Sequence, residues 1–219
     1  LAIQGPLATP LLVDVFGSRI KELKFFHFSH FEFEGTSQVI ARSGYSQSSG
    51  FEIYLKGFEH GKKLWDVIWN AGKKYNISPG CPNLIDRIEA GLLSFGNEMT
   101  NQTSPLETGL EKYCHLDSSH DFIGKKALKR QKAKGINRCI KGVIFDGPPC
   151  PPCAEPWNLY SKNGISIGSI TSAVFSPRLK KNIGLGIIAK QCWEQGTEIK
   201  IAIPGQLLSR GKVSELPFK

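Results

Sequence analysis

The spacing of apolar and polar residues predicts short helices and antiparallel strands in the first part of the chain. Residues 11–15 predict a helix that stops near Gly17, and the aromatic-rich residues 25–33 predict an extended segment. Residues 36–42 and 51–55 are β-favouring runs joined by a polar, glycine-containing stretch, which is typical of antiparallel strands connected by a loop. The sequence therefore predicts an antiparallel sheet in this region.

Side chains of the second strand of this pair alternate between two faces, because successive residues of a strand point to opposite sides. Phe51 and Ile53 point to an apolar face, and Glu52 and Tyr54 point to the other. The strand therefore presents a carboxylate and a phenol on the side away from the predicted core.

Three helical patterns follow. Apolar residues recur every three or four positions over residues 64–75, where the helix is expected to end near Asn76, and again over residues 84–92. The third pattern, over residues 122–134, is strongly basic, and Gly135 is well placed to end it. The apolar residues of this third helix that we expect to face inward are Phe122, Ala127 and Leu128.

After Gly135 the pattern changes to successive strands with almost no helix between them. Asn163-Gly164 indicates a hairpin, because both residues tolerate positive φ. We therefore predict an α+β protein with a boundary near residue 135: an antiparallel sheet with packed helices over residues 1–135, then a small antiparallel β-barrel or sandwich over residues 136–219. The predicted strands of the second part are residues 139–145, 164–174, 183–189, 197–203 and 206–216.

Composition places the chain among globular proteins. It has 219 residues, of which 40% are hydrophobic and 21% charged, enough for one large or two modest cores. Residues 1–15 are interrupted by Pro6 and Pro10 and carry no basic leader, so they predict neither a signal peptide nor a membrane span. We therefore expect a soluble, cytoplasmic protein with no membrane partner.

The formal net charge of +9 allows attraction to nucleic acid, acidic lipid or a polyanionic cofactor. A solvated helix face is the simpler interpretation of the third helix, and a rim that receives an anionic ligand is the alternative. Because net charge is the only support for nucleic-acid binding, we predict no nucleic-acid partner. The basic residues of the third helix are Lys125, Lys126, Lys129, Arg130, Lys132 and Lys134.

The cysteines and histidines predict no metal site. Cys150 and Cys153 have the spacing of half a zinc site or a redox pair, but no second Cys pair or nearby His completes it. The six cysteines lie in a chain too large to need a disulfide framework, so we expect reduced thiols. Neither a Ser nucleophile motif nor a Gly-rich phosphate loop is present, and the sequence names no catalytic residue.

Several segments together resemble the folate-dependent aminomethyltransferase superfamily, whose members move one-carbon units to or from tetrahydrofolate. The run RIEAGLLSFGNEMT at residues 87–100 carries the resemblance most strongly. Further matches lie upstream and downstream, so that the resemblance covers nearly the whole chain. They are residues 44–45, 50–53, 104–110, 171–172 and 176–184.

Within the superfamily, the chain is most similar to the branch that demethylates dimethylsulfoniopropionate. Asn83 stands where the glycine-cleavage proteins have a folate-binding Arg, and residues 46–49 replace their Thr-Gly-Glu-Asp run. Both differences favour the demethylating branch. The segments that resemble this branch are residues 42–44, 52–54, 80–85 and 109–114.

Members of the superfamily are considerably longer than this chain. Residues 1–6 lack an initiator Met and resemble a segment well inside the first half of those proteins. The resemblance therefore implies a carboxy-terminal portion, in which residues 1–135 form a partial folate-binding domain and the substrate pocket is incomplete.

The resemblance also implies the site. A carboxylate accepts the amino group and ring N–H of a pterin together, and the superfamily's pterin-contacting Glu matches Glu52. Tyr54 shares the face of Glu52 and is expected to stack or hydrogen-bond beside it, and Tyr45 matches the family's loop Tyr by its spacing. The alternatives are an exposed or Lys-paired Glu52 and ordinary packing of both tyrosines. Arg87 is predicted to be structural, pairing with a carboxylate or with carbonyl groups.

The implied function is tetrahydrofolate-dependent transfer of a methyl group from the sulfonium of dimethylsulfoniopropionate, a small-molecule donor. Tetrahydrofolate is the implied cofactor, and the basic third helix is a candidate rim for its glutamate tail. Two alternatives remain: a glycine-cleavage aminomethyltransferase, which requires a lipoyl carrier protein, and a folate-binding relative without catalysis. The sequence makes no prediction of oligomeric state.

Overall fold

The computed structural model describes residues 1–46, 48–80 and 84–218, and the chain divides into two compact units, Leu1–Asn83 and Leu84–Lys219. The first unit contains an antiparallel sheet with packed helices, and the second contains a closed antiparallel barrel. The predicted α+β fold class is therefore confirmed. The predicted domain boundary near residue 135 stays a prediction.

The sheet of the first unit has four strands: β1 (Ala2–Gln4), β2 (Phe28–Phe33), β3 (Thr36–Ala41) and β4 (Gly50–Tyr54). Their order is β1-β4-β3-β2, and every neighbouring pair is antiparallel. The predicted pairing of the two β-favouring runs is confirmed, because β3 and β4 are neighbours joined by the polar loop.

Two α-helices cover the buried face of this sheet. Helix α1 (Ala8–Phe16) ends because Gly17 adopts φ +84° and donates its N–H to the carbonyl of Val13. Helix α2 (Gly61–Gly72) buries Leu64 and Ile68, and a 3₁₀ turn then leads to Asn76 in the left-handed conformation. Both predicted helices are thus confirmed. The core that they share with the sheet includes Leu11, Leu12, Ile20, Phe31, Ile40, Phe51, Ile53, Leu64 and Ile68.

The second unit contains a six-stranded closed barrel in the order β10-β5-β8-β7-β6-β9, in which β9 and β10 also pair. Trp157 lies in its core against the ring of Phe145, with the ring centroids 6.3 Å apart. The strands are β5 (Arg138–Phe145), β6 (Trp157–Ser161), β7 (Ser166–Ser176), β8 (Lys181–Ala189), β9 (Glu198–Ile201) and β10 (Ser209–Ser214).

Strand β6 was not predicted, whereas the hairpin that follows it was. Asn163-Gly164 joins β6 to β7, and Gly164 has φ +79°. Asn163 does not share the positive φ, so the turn differs from the one that the dipeptide indicated. The hairpin itself is confirmed, together with β5, β7, β8, β9 and β10.

The second unit also contains helices α3 (Leu84–Glu89) and α4 (Lys125–Lys134). Helix α3 is shorter than the predicted residues 84–92, because Gly91 adopts φ +67° and a Cβ there would lie 3.1 Å from the side chain of Leu216. Ile88 of α3 packs against the outer surface of the barrel with Ile183, Leu185 and Phe218.

The predicted inward face of α4 is wrong. Phe122 and Ala127 are exposed and Leu128 is only half-buried, while Lys125 is the buried residue of the helix. The ammonium group of Lys125 donates to the carbonyls of Ser118 and His120 at 2.5 and 2.6 Å. A long lysine stem with satisfied donors therefore fills the space that the pattern assigned to apolar residues.

None of the helices in the described ranges combines the length and apolar character needed to cross a membrane.

Candidate functional site: a carboxylate on the open face of the sheet

The sheet of the first unit has one face in the core and one open face. On the open face, strand register aligns Ala2 of β1, Glu52 of β4, Ala41 of β3 and Phe28 of β2 in one row across all four strands. Directly paired residues of antiparallel strands point to the same side. Period-two alternation therefore places Glu52 opposite the core, as the sequence predicted.

The carboxylate of Glu52 is half-buried, and one of its two oxygens accepts hydrogen bonds from the protein itself. Its Oε2 accepts hydrogen bonds from the hydroxyl of Ser43 and, at 3.3 Å, from the phenol of Tyr54. Among the described residues, Oε1 receives no hydrogen bond. One oxygen is thus fixed by the protein, and the other remains an acceptor for a ligand donor.

Tyr54 lies two residues along the same strand and is 56% exposed. The negative charge of Glu52 is the main reason that the pKa of Tyr54 lies above its usual value, with smaller contributions from desolvation and the shared hydrogen bond. Tyr54 therefore stays protonated and available as a donor. The structure brings these two predicted site residues together.

The loop between β3 and β4 is tied down by Gln4 of the first strand. The amide nitrogen of Gln4 donates to the carbonyls of Ser43 and Phe51 at 3.1 and 3.4 Å, and its oxygen accepts from the hydroxyl of Ser46 at 2.9 Å. A Cβ on Gly44 would lie 2.0 Å from this amide oxygen, so the close approach requires glycine.

Tyr45, the third predicted site residue, lies on this loop with half of its side chain exposed. The loop position follows the prediction. Asn83 and Gln47, which entered the sequence comparison with the glycine-cleavage proteins, lie outside the described residues.

Sequence reasoning missed Ser43 as a partner of Glu52, although Ser43 stood in a matched segment. Its hydroxyl reaches the carboxylate only because the loop folds back toward β4.

The strongest sequence motif of the chain is structural. Arg87 of α3 donates to Oε2 of Glu98 and to the carbonyl of Leu92 at 2.8 and 2.9 Å, and to the hydroxyl of Ser172 on β7 at 2.6 Å. Thr171 donates to Oε1 of Glu98 at 3.2 Å, and the hydroxyl of Ser172 contacts the same oxygen. The predicted structural role of Arg87 is confirmed.

The matched segment at residues 176–184 also contacts helix α3. Glu89 of α3 accepts hydrogen bonds from the hydroxyl of Ser176 and, at 2.6 Å, from Nε of Arg178. The backbone carbonyl of Glu89 also accepts the N–H of Phe218 at 3.0 Å. Two motif segments that are distant in sequence therefore hold α3 against the barrel.

The segment at residues 104–110 is fixed by a reciprocal arrangement. The N–H of Ser104 donates to Oε2 of Glu107 at 2.8 Å, and the N–H of Glu107 donates to the Ser104 hydroxyl at 3.3 Å, the pattern of a capping box. Arg138 of β5 donates to Oε1 of Glu107 at 2.7 Å. Burial raises the pKa of Glu107, but Arg138 and Ser104 outweigh burial and bring it below its usual value.

The cysteine pair shows no sign of activation. Cys150 and Cys153 are half-buried thiols against the barrel core, and burial raises the pKa of both, that of Cys153 to about 11. Thiolates are the reactive and metal-binding form of cysteine, so these groups are poorly suited to either role near neutral pH. Within the described ranges, no group of three or more metal-ligating side chains comes together.

The basic helix α4 borders an open groove of about 700 Å³ beside the barrel wall, with Arg130, Lys134 and Arg138 on its rim. Lys132 of the same helix pairs with Glu111 at 2.7 Å, and both side chains are about half exposed. The two interpretations of the basic helix, a solvated face and a rim for an anionic ligand, both stay predictions.

Comparison with known proteins agrees with the fold and the motifs. Residues 1–118 match the GCVT N-terminal domain model, and residues 138–219 match that of the glycine cleavage T-protein C-terminal barrel domain. The chain therefore belongs to the glycine cleavage T-protein family of folate-dependent aminomethyltransferases, as the sequence motifs indicated. Enzymes of this family depend on tetrahydrofolate.

The individual relatives fall into two groups. The chain is similar to dimethylsulfoniopropionate demethylase DmdA of Ruegeria pomeroyi, with 41% identity over 93% of this chain and 55% of the relative. It is 36% identical to an aminomethyltransferase of Thermoanaerobacter pseudethanolicus, over 100% of this chain and 59% of the relative. The chain thus spans little more than half the length of these relatives.

A solved structure gives the same picture. The glycine cleavage system aminomethyltransferase T of Bartonella henselae superposes with a TM-score of 0.79 at 27% identity, covering 100% of this chain and 58% of that one.

Proposed function

We propose that the chain takes part in tetrahydrofolate-dependent methyl transfer, with the sulfonium of dimethylsulfoniopropionate as the methyl donor. One observation carries the proposal: Glu52 is a half-buried carboxylate on an open sheet face, whose Oε2 is bound by Ser43 and Tyr54 while Oε1 accepts no hydrogen bond from the part of the chain that the structure describes. The family membership of the chain supports folate as the ligand of this carboxylate.

The chemistry of these side chains fits a reduced pterin. The amino group and ring N–H of a pterin lie side by side, and a carboxylate can accept both at once. Oε1 of Glu52, which has no donor among residues 1–46, 48–80 and 84–218, would accept one of them, and the 3.3 Å contact from Tyr54 to Oε2 is long enough to be exchanged for the second. Ser43 would keep the carboxylate in place during this exchange.

The bound cofactor supplies the nucleophilic nitrogen, and the sulfonium is already an activated leaving group. The protein therefore needs little acid–base chemistry, and its side chains have to orient the reactants and exclude water. Aromatic faces suit a sulfonium through cation–π attraction. Tyr45, Tyr54 and the contacting rings of Phe25 and Phe26, whose centroids are 4.2 Å apart, are our candidates for this role.

The choice of donor rests on similarity. The relative named as a dimethylsulfoniopropionate demethylase is 41% identical, against 34–38% for the aminomethyltransferases compared. Two alternatives were predicted from the sequence: glycine-cleavage aminomethyl transfer and folate binding without turnover. The assays below distinguish them from the proposed function.

We further propose that residues 1–135 form the folate-binding part and residues 136–219 the barrel domain, and that the protein works in the cytoplasm. The basic rim of α4 is our candidate for contact with an anionic portion of the ligand. No nucleic-acid or membrane partner is part of the proposal.

The test measures binding and transfer separately. The 219-residue chain and Glu52→Gln are titrated with 5-methyltetrahydrofolate by calorimetry, and Glu59→Gln, an exposed carboxylate of the same unit, is the control. Loss of a charge-assisted pair should weaken binding by about tenfold or more in Glu52→Gln only. Equal affinities of wild type and Glu52→Gln would refute the assignment.

Transfer is then assayed with methyl-labelled dimethylsulfoniopropionate and tetrahydrofolate, and in parallel with an aminomethyl-loaded lipoyl carrier protein. Label in methyltetrahydrofolate supports the proposal. Release of ammonia with the carrier protein alone would favour the glycine-cleavage alternative, and binding without either product would favour a non-catalytic relative.

A further inference from the structure

The open groove of about 700 Å³ between helix α4 and the wall of the barrel lies within the second unit. Four residues of α4 line it: Ala127, Arg130, Gln131 and Lys134. Residues three and four positions apart share one face of a helix, so a single face of α4 borders the groove. A surface helix usually turns an apolar stripe toward the protein, whereas this face carries two cations and an amide. A groove therefore remains where apolar packing is usual.

The opposite side of the groove is apolar. Ile187 of β8 points outward, because its neighbour Ile188 lies in the barrel core and successive residues of a strand alternate. Ile136 and Ala189 extend this half-buried surface. Gly168 of β7 adds no side chain to it, and a Cβ there would lie 1.9 Å from the carbonyl oxygen of Ile187. The groove thus has an apolar wall that faces a cationic rim.

The cations of the rim outnumber the acidic groups beside them. Arg138 of β5 is already engaged, because it donates to Glu107 and, at 2.7 Å, to the carbonyl of Gln102. Arg130 and Lys134 have no ion-pair partner in the part of the chain that the structure describes. Like charges four residues apart destabilise a helix, and an anion between them would relieve the repulsion. Three cations and one carboxylate line the groove, so its side chains carry a net charge of +2.

We propose that this groove is a second binding site, and that its ligand is a small organic phosphomonoester with an apolar body. A phosphate concentrates two negative charges in one group, and Arg130 and Lys134 are close enough on the helix to reach the same group. The apolar body packs on Ile187 and Ile136. Small-molecule sites usually measure roughly 300–1,000 Å³, so the volume is suitable. The inference goes beyond the proposed function, and its test requires neither Glu52 nor tetrahydrofolate.

The test titrates the full chain with phenyl phosphate at pH 8, where the phosphate is a dianion, and follows binding by calorimetry. Inorganic phosphate lacks the apolar body and benzyl alcohol lacks the charge. Each should bind at least about tenfold more weakly than phenyl phosphate. Absence of saturation by phenyl phosphate up to about 10 mM would overturn the inference, and so would equally tight binding of inorganic phosphate.

A third probe separates the phosphate from a carboxylate ligand. p-Aminobenzoylglutamate also joins an aromatic ring to two negative charges, but its charges lie on separate carboxylates. It should bind at least about threefold more weakly than phenyl phosphate, because one cation pair cannot neutralise both carboxylates as closely. Tighter binding of p-aminobenzoylglutamate would overturn the phosphate assignment.

Charge substitutions on α4 locate the phosphate. Arg130→Gln and Lys134→Gln should each weaken the binding of phenyl phosphate by about tenfold, since each removes a charge-assisted hydrogen bond. Lys129→Gln is the matched control, because Lys129 is exposed on the same helix and does not line the groove. This substitution should change the affinity by less than about twofold. Equal effects of Arg130→Gln and Lys129→Gln would indicate general attraction to a basic helix and would overturn the inference.

Two alanine substitutions test whether the ligand occupies the groove. Ala127 lines the groove, and Ala133 is exposed on α4 outside it. Leucine is a good helix former, so Ala127→Leu and Ala133→Leu both preserve the helix. Ala127→Leu should weaken the binding of phenyl phosphate by more than about fivefold because it fills the groove, and Ala133→Leu by less than about twofold. The reverse order would overturn the inference. Thermal unfolding checks the folding of each variant, and if Ala127→Leu unfolds, the comparison of Arg130→Gln with Lys129→Gln decides the outcome.

Discussion

Arg87 and Glu98 form a buried ion pair in which the guanidinium donates to Oε2 at 2.8 Å, and both side chains are almost inaccessible to solvent. Hydroxyl groups of Thr171 and Ser172 on β7 complete the surroundings of the carboxylate. Each charge of this buried pair has further hydrogen-bond partners, and removal of one charge leaves the other buried and uncompensated.

Replacement of Arg87 should therefore destabilise the second unit strongly. Arg87→Met is expected to lower the free energy of unfolding by about 3–5 kcal/mol, since Glu98 is left buried without its cation. Urea denaturation measures the change.

Arg178→Met provides the matched control. Arg178 pairs with Glu89 of the same helix at 2.6 Å, but its side chain is 56% exposed. Glu89 is 13% exposed and keeps its hydrogen bond from Ser176, and solvent reaches the guanidinium of Arg178, so loss of this pair should cost less than loss of the buried pair, about 1–2 kcal/mol. Equal effects of the two substitutions would contradict the structural role assigned to the buried pair.

The ion pair between Glu107 and Arg138 should make the unfolding free energy of the protein depend on pH. The folded pKa of Glu107 lies below the ordinary value of 4.5, so the ionised form stabilises the fold above pH 4.5. This contribution is lost as the pH falls through the lowered folded pKa. Arg138→Met removes the main cation, and the difference in unfolding free energy between wild type and Arg138→Met should shrink as the pH falls below 4.5. A difference that stays constant across this range would exclude the linkage.

Tyr54 reports on the charge of Glu52. The phenol pKa lies above its usual value mainly because of the Glu52 carboxylate. Glu52→Gln should therefore lower the pKa of Tyr54, measured as phenolate absorbance during alkaline titration. Because the chain has five tyrosines, the Tyr54 signal is obtained by subtraction of a Tyr54→Phe titration in each background. An unchanged Tyr54 pKa would mean that the two groups do not interact in solution.

The thiols of Cys139 and Cys153 should react slowly with alkylating reagents in the folded chain. Burial raises the pKa of each to about 11, so only a small fraction is thiolate at neutral pH. Mass spectrometry of alkylated peptides at pH 8, before and after unfolding in urea, measures the rates. Rapid modification of Cys153 in the folded chain would contradict this expectation and would support a reactive role for the Cys150–Cys153 pair.

Local patterns in the sequence predicted the helices that end at a residue suited to a positive φ. Gly17, Asn76 and Gly135 stand at the ends of helices, and each has a positive φ that other residues rarely adopt. Strand β6 was missed because its short apolar run follows a proline-rich segment and resembles a loop. The inward face of α4 was wrong because periodicity cannot foresee a buried lysine such as Lys125 whose donors meet backbone carbonyls.

The site was predictable only in part for the same reason. Alternation along one strand was enough to place Glu52 and Tyr54 on a common face. The contact of Ser43 with the carboxylate depends on a loop conformation, and the row that aligns Glu52 with Ala2 and Ala41 depends on two inter-strand registers. Such relationships join residues through the folded chain, and one-dimensional spacing does not encode them.

The two sheets differ in how they end. The barrel closes through the pairing of β9 with β10, so each of its six strands has a neighbour on both sides. The open sheet terminates at β1 and β2, whose outer backbone groups are not used within the described sheet. Within the described residues, strand addition by a second copy of this chain would therefore use a margin of the open sheet, such as the outer edge of β2, and not the wall of the barrel.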